Sequence, residues 1–242
     1  MKLSRLHRLL QPLRSIPLHP QWLVLRGAEK NRHDIARRLT GRVLDIGCGN
    51  RLMASLLEPS TEYFGLDYPI THAKGYSGCP DLFGDGQCLP FRDASFDSIL
   101  ALDVLEHLPL PEYCIREAAR VLRCGGQLIL QTPFLYPLHD MPHDFQRWTL
   151  PGLELLVQRH GLTVLERQIF GTPSETAAAL AAIALAKAVL DSLERRSLVI
   201  LLIPLLVIGI VTANLLGGLL ACLLPADDFM PLGYRVICTK CT

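Results

Sequence analysis

Charged side chains are absent from residues 198–224, 27 consecutive positions without Asp, Glu, Lys or Arg. That run is longer than the roughly 20 apolar residues needed to cross a bilayer, and Thr176–Leu190 before it is apolar apart from Lys187. Aromatic residues are few, 7% of the chain, and do not interleave with basic ones as a nucleic-acid stacking surface requires, so no nucleic acid is expected as a partner. No internal repeat or low-complexity linker is present, which excludes a solenoid or tethered modules. The N-terminus lacks the uninterrupted apolar core of a secretory leader, because Leu3, Leu6, Leu10 and Leu13 alternate with Arg5, Arg8 and Arg14. An amphipathic basic helix is expected instead, packed on its own domain or lying on a membrane surface.

The eight cysteines are scattered, and several fall within expected strands or helices, as small core residues of a reducing compartment do. Cys238 and Cys241 form a CxxC without the second ligand pair that a zinc ribbon needs, so no metal is expected there. The net charge of +1 hides an asymmetry. Residues 1–42 carry ten Lys/Arg against Glu29 and Asp34, and the remainder is acidic. Half of all residues are apolar, more than a core of this size absorbs.

Against these absences stands one dense motif. Val43-Leu44-Asp45-Ile46-Gly47-Cys48-Gly49-Asn50 reads as a buried strand entering a glycine turn, where the backbone can approach a ligand closer than a Cβ permits. Tyr63–Asp67 reads as a second strand, with its acid twenty residues beyond Gly47, where a ribose diol is held. A dinucleotide site also wants a third glycine at 52, which here is Leu52, so NAD and FAD are disfavoured. Further strands are expected near 80–84, 97–103, 127–132, 163–170 and 233–240, alternating with helices in the manner of a doubly wound parallel α/β sheet. Ile115, Ala118, Ala119 and Leu122 recur at helical spacing, with Gly125-Gly126 as the expected left-handed stop, Thr149 as the next N-cap and Gly161 as that helix's end.

The pattern Asp45-x-Gly47-x-Gly49 resembles the first motif of class I S-adenosylmethionine-dependent methyltransferases. The segment Asp103-Val104-Leu105-Glu106-His107-Leu108 and the later Arg120-Val121-Leu122 closely resemble the type 11 subfamily. A departure is Arg51, where many members carry glycine. The resemblance covers residues 43–170 and, loosely, the terminal strand. It implies a Rossmann-like seven-stranded sheet whose last strand is antiparallel, inserted between the fifth and sixth, and S-adenosylmethionine as cofactor. In the terms of that family, Asp45 lies near the methionine amino group or orients the turn, and Gly47, Cys48 and Gly49 line the ligand. Asp67 and Tyr68 hold the ribose side, Asp85, Gly86 and Leu89 the adenine side, and Asp103 and Val104 the methionine side. Glu106 and His107 are an acid and base candidate pair.

The loop 132–149 follows strand five, the edge where functional residues collect in such folds. His143 or His139 is the expected base for a hydroxyl acceptor, oriented by Asp144 or Asp140, with His107 a weaker candidate. Arg147 is expected to hold a carboxylate or phosphate, while Phe134, Tyr136 and Trp148 stack on a sugar or pack the lid. His139-Asp140 and His143-Asp144 carry metal-ligand types, but Pro142 interrupts any helix that would align them, so no metal is expected. The resemblance of this loop to methyltransferases of bacterial surface-polysaccharide pathways implies a glycan or lipid-linked acceptor; an isoprenoid quinone, another lipid or a non-catalytic membrane adaptor are the alternatives. Three segments are expected: a basic helical arm (1–42), a methyltransferase domain (43–173 with 232–242) and an apolar helical insertion (174–231). Because the last strand rejoins the sheet, the insertion is expected as a re-entrant or two-helix hairpin, or as interfacial helices bent at Pro204, Gly209, Gly217 and Gly218. A buried lid and a single crossing are the other arrangements. The chain is thus placed at the cytoplasmic side of a membrane.

Overall fold

Val43, Leu44 and Ile46 are all but inaccessible to solvent in strand β1 (Arg42–Ile46), as the central strand of a parallel sheet requires. The computed structural model describes residues 11–69 and 79–241. Six further strands complete the sheet: β2 (Glu62–Asp67), β3 (Leu82–Phe83), β4 (Phe96–Leu102), β5 (Leu122–Pro133), β6 (Leu162–Phe170) and β7 (Gly233–Lys240). Their order is β3-β2-β1-β4-β5-β7-β6. β1 pairs in parallel with β2 and β4, whereas β7 runs antiparallel to β5 with Ile129 opposite Ile237. This is the seven-stranded arrangement with an inserted last strand. The order reverses between β1 and β4, and the carboxyl ends of strands at such a point form the ligand crevice of open α/β sheets.

Two apolar cores flank the sheet. Helix α3 (Pro111–Val121) buries Cys114, Ile115 and Ala118, and α4 (Leu150–Gln158) buries Leu153 and Val157, against Leu44, Ile99 and Leu128. The second core joins Ile35 and Ala36 of α2 (Ala28–Ala36) to Val43, Leu100, Ile129 and Ile237. Thr149 caps α4 by accepting from Gly152 N, as the sequence predicts. Gly125-Gly126 do not stop α3. That helix ends at Val121, and Leu122 already turns extended into β5, so the glycines lie within a strand. The ladder shifts from Phe96↔Leu122 to Ser98↔Gln127 there, with Gly125 at φ +76°, so the pair makes a bulge.

The chain divides into two compact units. The sheet unit comprises residues 30–134, 138–169 and 233–242; the other comprises 1–29, 135–137 and 170–232. The structural boundary at 29/30 departs from the division at 42/43 because Ile35, Ala36 and Leu39 are core residues of the sheet unit. Of the amphipathic arm, Leu3, Arg5, Leu6, Arg8 and Leu10 lie outside the described residues, and Gln11–Ser15 form a 3-10 turn.

In the second unit, α5 (Pro173–Arg195) opens with a capping box between Thr172 and Glu175 and closes on a left-handed Arg196. Helix α6 (Ile203–Leu223) follows, with Pro204 in its first turn. Gly209 faces Leu185 and Gly217 faces Ala178, so the two helices run antiparallel as a hairpin. Gly209, Gly217 and Gly218 are not bends. The helix is continuous through them, and a Cβ at Gly217 would stand 2.3 Å from that of Ala178, which makes this glycine a close-packing position. Asn214, buried within α6, donates to the carbonyls of Pro17 and His19 at 2.7 and 3.0 Å. Both segments, Pro173–Arg195 and Leu198–Leu223, are long and apolar enough to cross a membrane, with mean hydropathies of 1.6 and 2.7.

Candidate active site

The glycine turn after β1 is built from backbone. The N–H groups of Gly47 and Cys48 both donate to the carbonyl of Leu66, at 2.8 and 3.2 Å, and tie the turn to β2. Gly47 and Gly49 have φ of +73° and +50°, and a Cβ on Gly47 would stand 2.5 Å from Val104 Cγ2. Only glycine therefore fits beneath Val104. At the end of β2 the buried Asp67 accepts from Gly49 N and Tyr68 N, both at 2.7 Å, through different oxygens. Each oxygen retains a second lone pair, the acceptor set that a ribose diol uses. Asp85 accepts from the backbone N and the side chain of Gln87 in a local turn. Gly86 is closed by Ile46, 2.9 Å from where its Cβ would lie, and Leu89 is buried. Asp103, at φ +55°, accepts from Gln131 Nε2 at 2.9 Å. A glycine cradle with Asp67, Asp85 and Asp103 beyond the ends of successive strands fits a nucleoside bearing an amino acid.

Asp45 is tied to the neighbouring strand. Its carboxylate accepts from Tyr63 OH at 2.7 Å and orients the strand beneath the turn. Burial pushes its pKa up to about 7, with the Tyr63 hydrogen bond opposing. Cys48 is buried, and burial raises its thiol to about 12, so it lines the turn as a neutral group. Arg51 has φ +55°, the left-handed region where glycine is at ease. Its guanidinium pairs with Asp81 at 2.7 Å and lies over the Tyr63 ring. Sequence reading missed Tyr63, Asp81 and Gln131, each of which acts only through a long-range partner.

The acceptor side is built from side chains. Glu106 sits in a 3-10 turn (Leu105–His107) directly after Val104, wholly buried, and burial raises its pKa to about 8. The Nε2 atoms of His107 and His139 both lie 3.8 Å from Glu106 Oε1. His107 Nδ1 is 2.6 Å from the carbonyl of His143, and burial lowers its pKa. Asp144 orients His139, accepting from its backbone N at 2.9 Å and facing its Nδ1 at 3.3 Å. His143 instead packs its ring toward Phe145. Arg147 clasps both oxygens of Asp144, holding that carboxyl well below the usual carboxylate range. The cation expected to face a substrate anion is engaged within the loop.

Phe134 packs at 5.5 Å from Tyr234, Trp148 packs against the main core, and Tyr136 belongs to the hairpin unit, where its hydroxyl accepts from Gln21. Cys238 and Cys241 are likewise split, the first in the core and the second at the surface beside Thr163.

A family pattern described as a methyltransferase domain matches residues 44–130. The ubiquinone biosynthesis O-methyltransferase of Dechloromonas aromatica is 32% identical over 175 residues, 59% of this chain and 69% of that protein. The 27-O-demethylrifamycin SV methyltransferase of Amycolatopsis mediterranei is 36% identical over 112 residues, and the match spans only 41% of either chain. Among solved structures, the [4+2]-cyclase SpnF superposes with a TM-score of 0.58 over 90% of this chain and 83% of its own, at 18% identity, a likeness of fold alone. With the motifs in order along a seven-stranded sheet of this topology, the chain belongs to the type 11 family of class I S-adenosylmethionine-dependent methyltransferases.

Proposed function

We propose that the protein is an O-methyltransferase working at the cytoplasmic face of a membrane on a hydroxyl of a lipid-linked or glycan acceptor. The observation that carries the membrane reading is the bare hairpin. Only 22% and 11% of the most apolar windows of its two helices are buried, with Leu198, Leu201 and Leu223 more than two-thirds exposed. A soluble lid would hide those faces. β6 precedes the hairpin and β7 follows it in one sheet, so the chain leaves and returns on the same side.

S-adenosylmethionine, when bound, supplies a methyl group on a positively charged sulfur. The protein's part is then to hold and align. Asp67 and the 47–49 backbone hold the nucleoside, Asp85, Gly86 and Leu89 flank its base, and Asp103 with Val104 borders the methionine end. A hydroxyl acceptor must also lose a proton, for which His143 and the Asp144-oriented His139 are the bases at hand. The ubiquinone-pathway relative favours a second acceptor, the phenolic hydroxyl of an isoprenoid quinone precursor.

Fractionation tests the membrane reading. Intact protein is expected to sediment with membranes, and replacing residues 174–226 by a short flexible linker is expected to release a sheet unit that still binds cofactor. A tag after Thr242 should remain cytoplasmic. Full solubility without detergent would remove the argument for a lipid-linked acceptor. His143→Ala is expected to lower turnover roughly 100-fold while leaving cofactor affinity unchanged; equal loss of both would make His143 structural. Cofactor binding without turnover on lipid-linked glycan and quinone-precursor hydroxyls alike would identify an adaptor.

A further inference from the structure

Three electron-pair donors, Glu106, His107 and His139, converge directly after Val104. Glu106 is wholly buried, yet among the described residues neither of its carboxylate oxygens meets a hydrogen-bond donor from another residue. An unanswered buried carboxylate is costly and calls for a reason. Its Oε1 is equidistant, at 3.8 Å, from Nε2 of His107 and Nε2 of His139, too long for a hydrogen bond to either. One donor atom from each of the three residues fits within 4.8 Å of the others.

The tautomers follow from what lies behind each ring. His107 Nδ1 stands 2.6 Å from the carbonyl oxygen of His143, which can only accept, so Nδ1 carries the proton and the lone pair is on Nε2. His139 Nδ1 faces Asp144 Oδ2 at 3.3 Å. Both Asp144 oxygens accept from Arg147, so Asp144 faces this ring as an acceptor, which sets the proton on His139 Nδ1 and the lone pair on its Nε2, toward Glu106. Two lone pairs and a carboxylate aimed at one point repel one another unless a proton on Glu106 or a metal cation lies between them. A carbonyl or carboxylate behind the outer nitrogen is the support that metal-ligating histidines receive.

We propose that Glu106, His107 and His139 form a binding site for one divalent transition-metal ion. Two imidazoles and one carboxylate select the Zn2+, Co2+ or Mn2+ class over Ca2+ and Mg2+, which prefer oxygen. Ligand bonds of about 2.0–2.2 Å place ligand atoms some 3–4 Å apart around the ion; both Glu106–histidine spacings are 3.8 Å, and the three atoms, all within 4.8 Å, need only close slightly on binding. The side chains of His107 and His139 are 24% and 30% exposed, which leaves a way in from solvent and room for further ligands on that face. The expectation that the loop holds no metal rested on His139-Asp140 and His143-Asp144 as neighbours. The structure recruits His139 alone from the loop and joins it to the Glu106-His107 pair from the β4 turn.

Resting on the O-methyltransferase reading, the site also narrows the acceptor: a hydroxyl, best with a second oxygen beside it as in a catechol or vicinal diol, would take the open positions. Such coordination lowers the hydroxyl pKa. With its Nε2 on the ion His139 no longer serves as base, so the proton leaves to His143 or to solvent, the oxygen forms the bond to the methyl carbon, and the carbon–sulfur bond breaks to give a neutral thioether.

The test uses the full chain, chelator-treated, with Co2+ followed by visible absorption and Zn2+ by calorimetry. One equivalent is expected to bind, with Glu106→Gln and His139→Ala each weakening it at least about 100-fold. Binding of S-adenosylhomocysteine and the thermal transition, measured on the same samples, report whether the variants fold. Wild type without saturable Co2+ binding below about 1 mM, or Glu106→Gln binding as wild type, would overturn the site and leave Glu106 simply protonated. A strong near-ultraviolet thiolate band would also overturn it, by moving the ion to cysteine. Metal binding without any cofactor binding would sink the methyltransferase reading and leave the metal site standing.

Discussion

The cofactor half and the acceptor half of this site are made of different material. In the first, the decisive groups are main-chain: Gly47 and Cys48 bonded to the Leu66 carbonyl, Gly49 and Tyr68 bonded to Asp67. In the second they are side chains reaching across the loop, Asp144 to His139 and Arg147, and Glu106 between two histidines. Those main-chain groups are held by the pairing of β1 with β2, and the glycine turn has no room for a Cβ at Gly47, so the first half is rigid and tolerates no added atom there. The second half depends on charge balance among residues up to some thirty positions apart, and its weak point is the removal of one charge.

The largest effect should come from adding atoms to the first half. Gly47→Val places a branched side chain where Val104 already stands, at a φ of +73° that valine avoids. We expect undetectable cofactor binding by calorimetry and about 3 kcal/mol lower stability in chemical denaturation. The double variant Gly47→Ala with Val104→Ala should recover part of the binding relative to Gly47→Ala alone; no recovery would mean that backbone strain, not the Val104 contact, is the constraint.

Removing a charge is the matching blow to the second half. The Asp144 side chain is fully buried against Arg147, so Asp144→Ala removes the carboxylate that this guanidinium clasps and the acceptor behind His139. A loss of about 3 kcal/mol is expected, with cofactor affinity nearly unchanged. A large drop in affinity would show that the two halves are mechanically one.

The same contrast governs what could be read from the sequence. The turn 43–50, the strand positions and the acids 67, 85 and 103 near strand ends were legible because glycine, apolar runs and strand-end acids state local geometry directly. The antiparallel β7 came from family resemblance, not from its residues. Glu106 and the histidines were visible as candidates, but their grouping was not, since the link from 106 to 139 depends on how a loop folds back. Gly125-Gly126 misled because a glycine pair after a helical pattern stops a helix or bulges a strand, and only the pairing of Phe96 with Leu122 decides. The aromatics of the loop scattered because stacking partners leave no periodic trace.

A pH dependence tests the buried acid beneath the turn. The folded pKa of Asp45, about 7, lies above the ordinary carboxylate value, so between roughly pH 4 and 7 the native state holds a proton that the unfolded chain releases. Its stabilising share is therefore complete in acid and is lost as pH rises through that window. Asp45→Asn keeps an acceptor for Tyr63 and cannot ionise. Its stability relative to wild type should improve by about 4 kcal/mol from pH 4 to pH 8, read from parallel denaturation curves. A gap that stays constant with pH would show that Asp45 is ionised throughout.

The smallest effect is expected at Arg51, where the two kinds of material meet in one residue. Its backbone sits at φ +55°, which costs a residue with a Cβ about 1 kcal/mol relative to glycine. Its side chain returns part of that through the pair with Asp81, whose members are 26% and 42% exposed and hence contribute about 0.5 kcal/mol. The contact over Tyr63 adds a similar increment. Arg51→Gly relieves the strain, loses both contacts and loosens the unfolded chain, terms of comparable size and opposite sign. The net change should stay within about 1 kcal/mol, so the glycine of related proteins and the arginine here are two solutions to one backbone requirement. Arg51→Ala separates them, because it keeps the strain and discards the contacts. It should fall below both wild type and Arg51→Gly in thermal denaturation, and an alanine variant as stable as wild type would mean that the Asp81 and Tyr63 contacts contribute nothing.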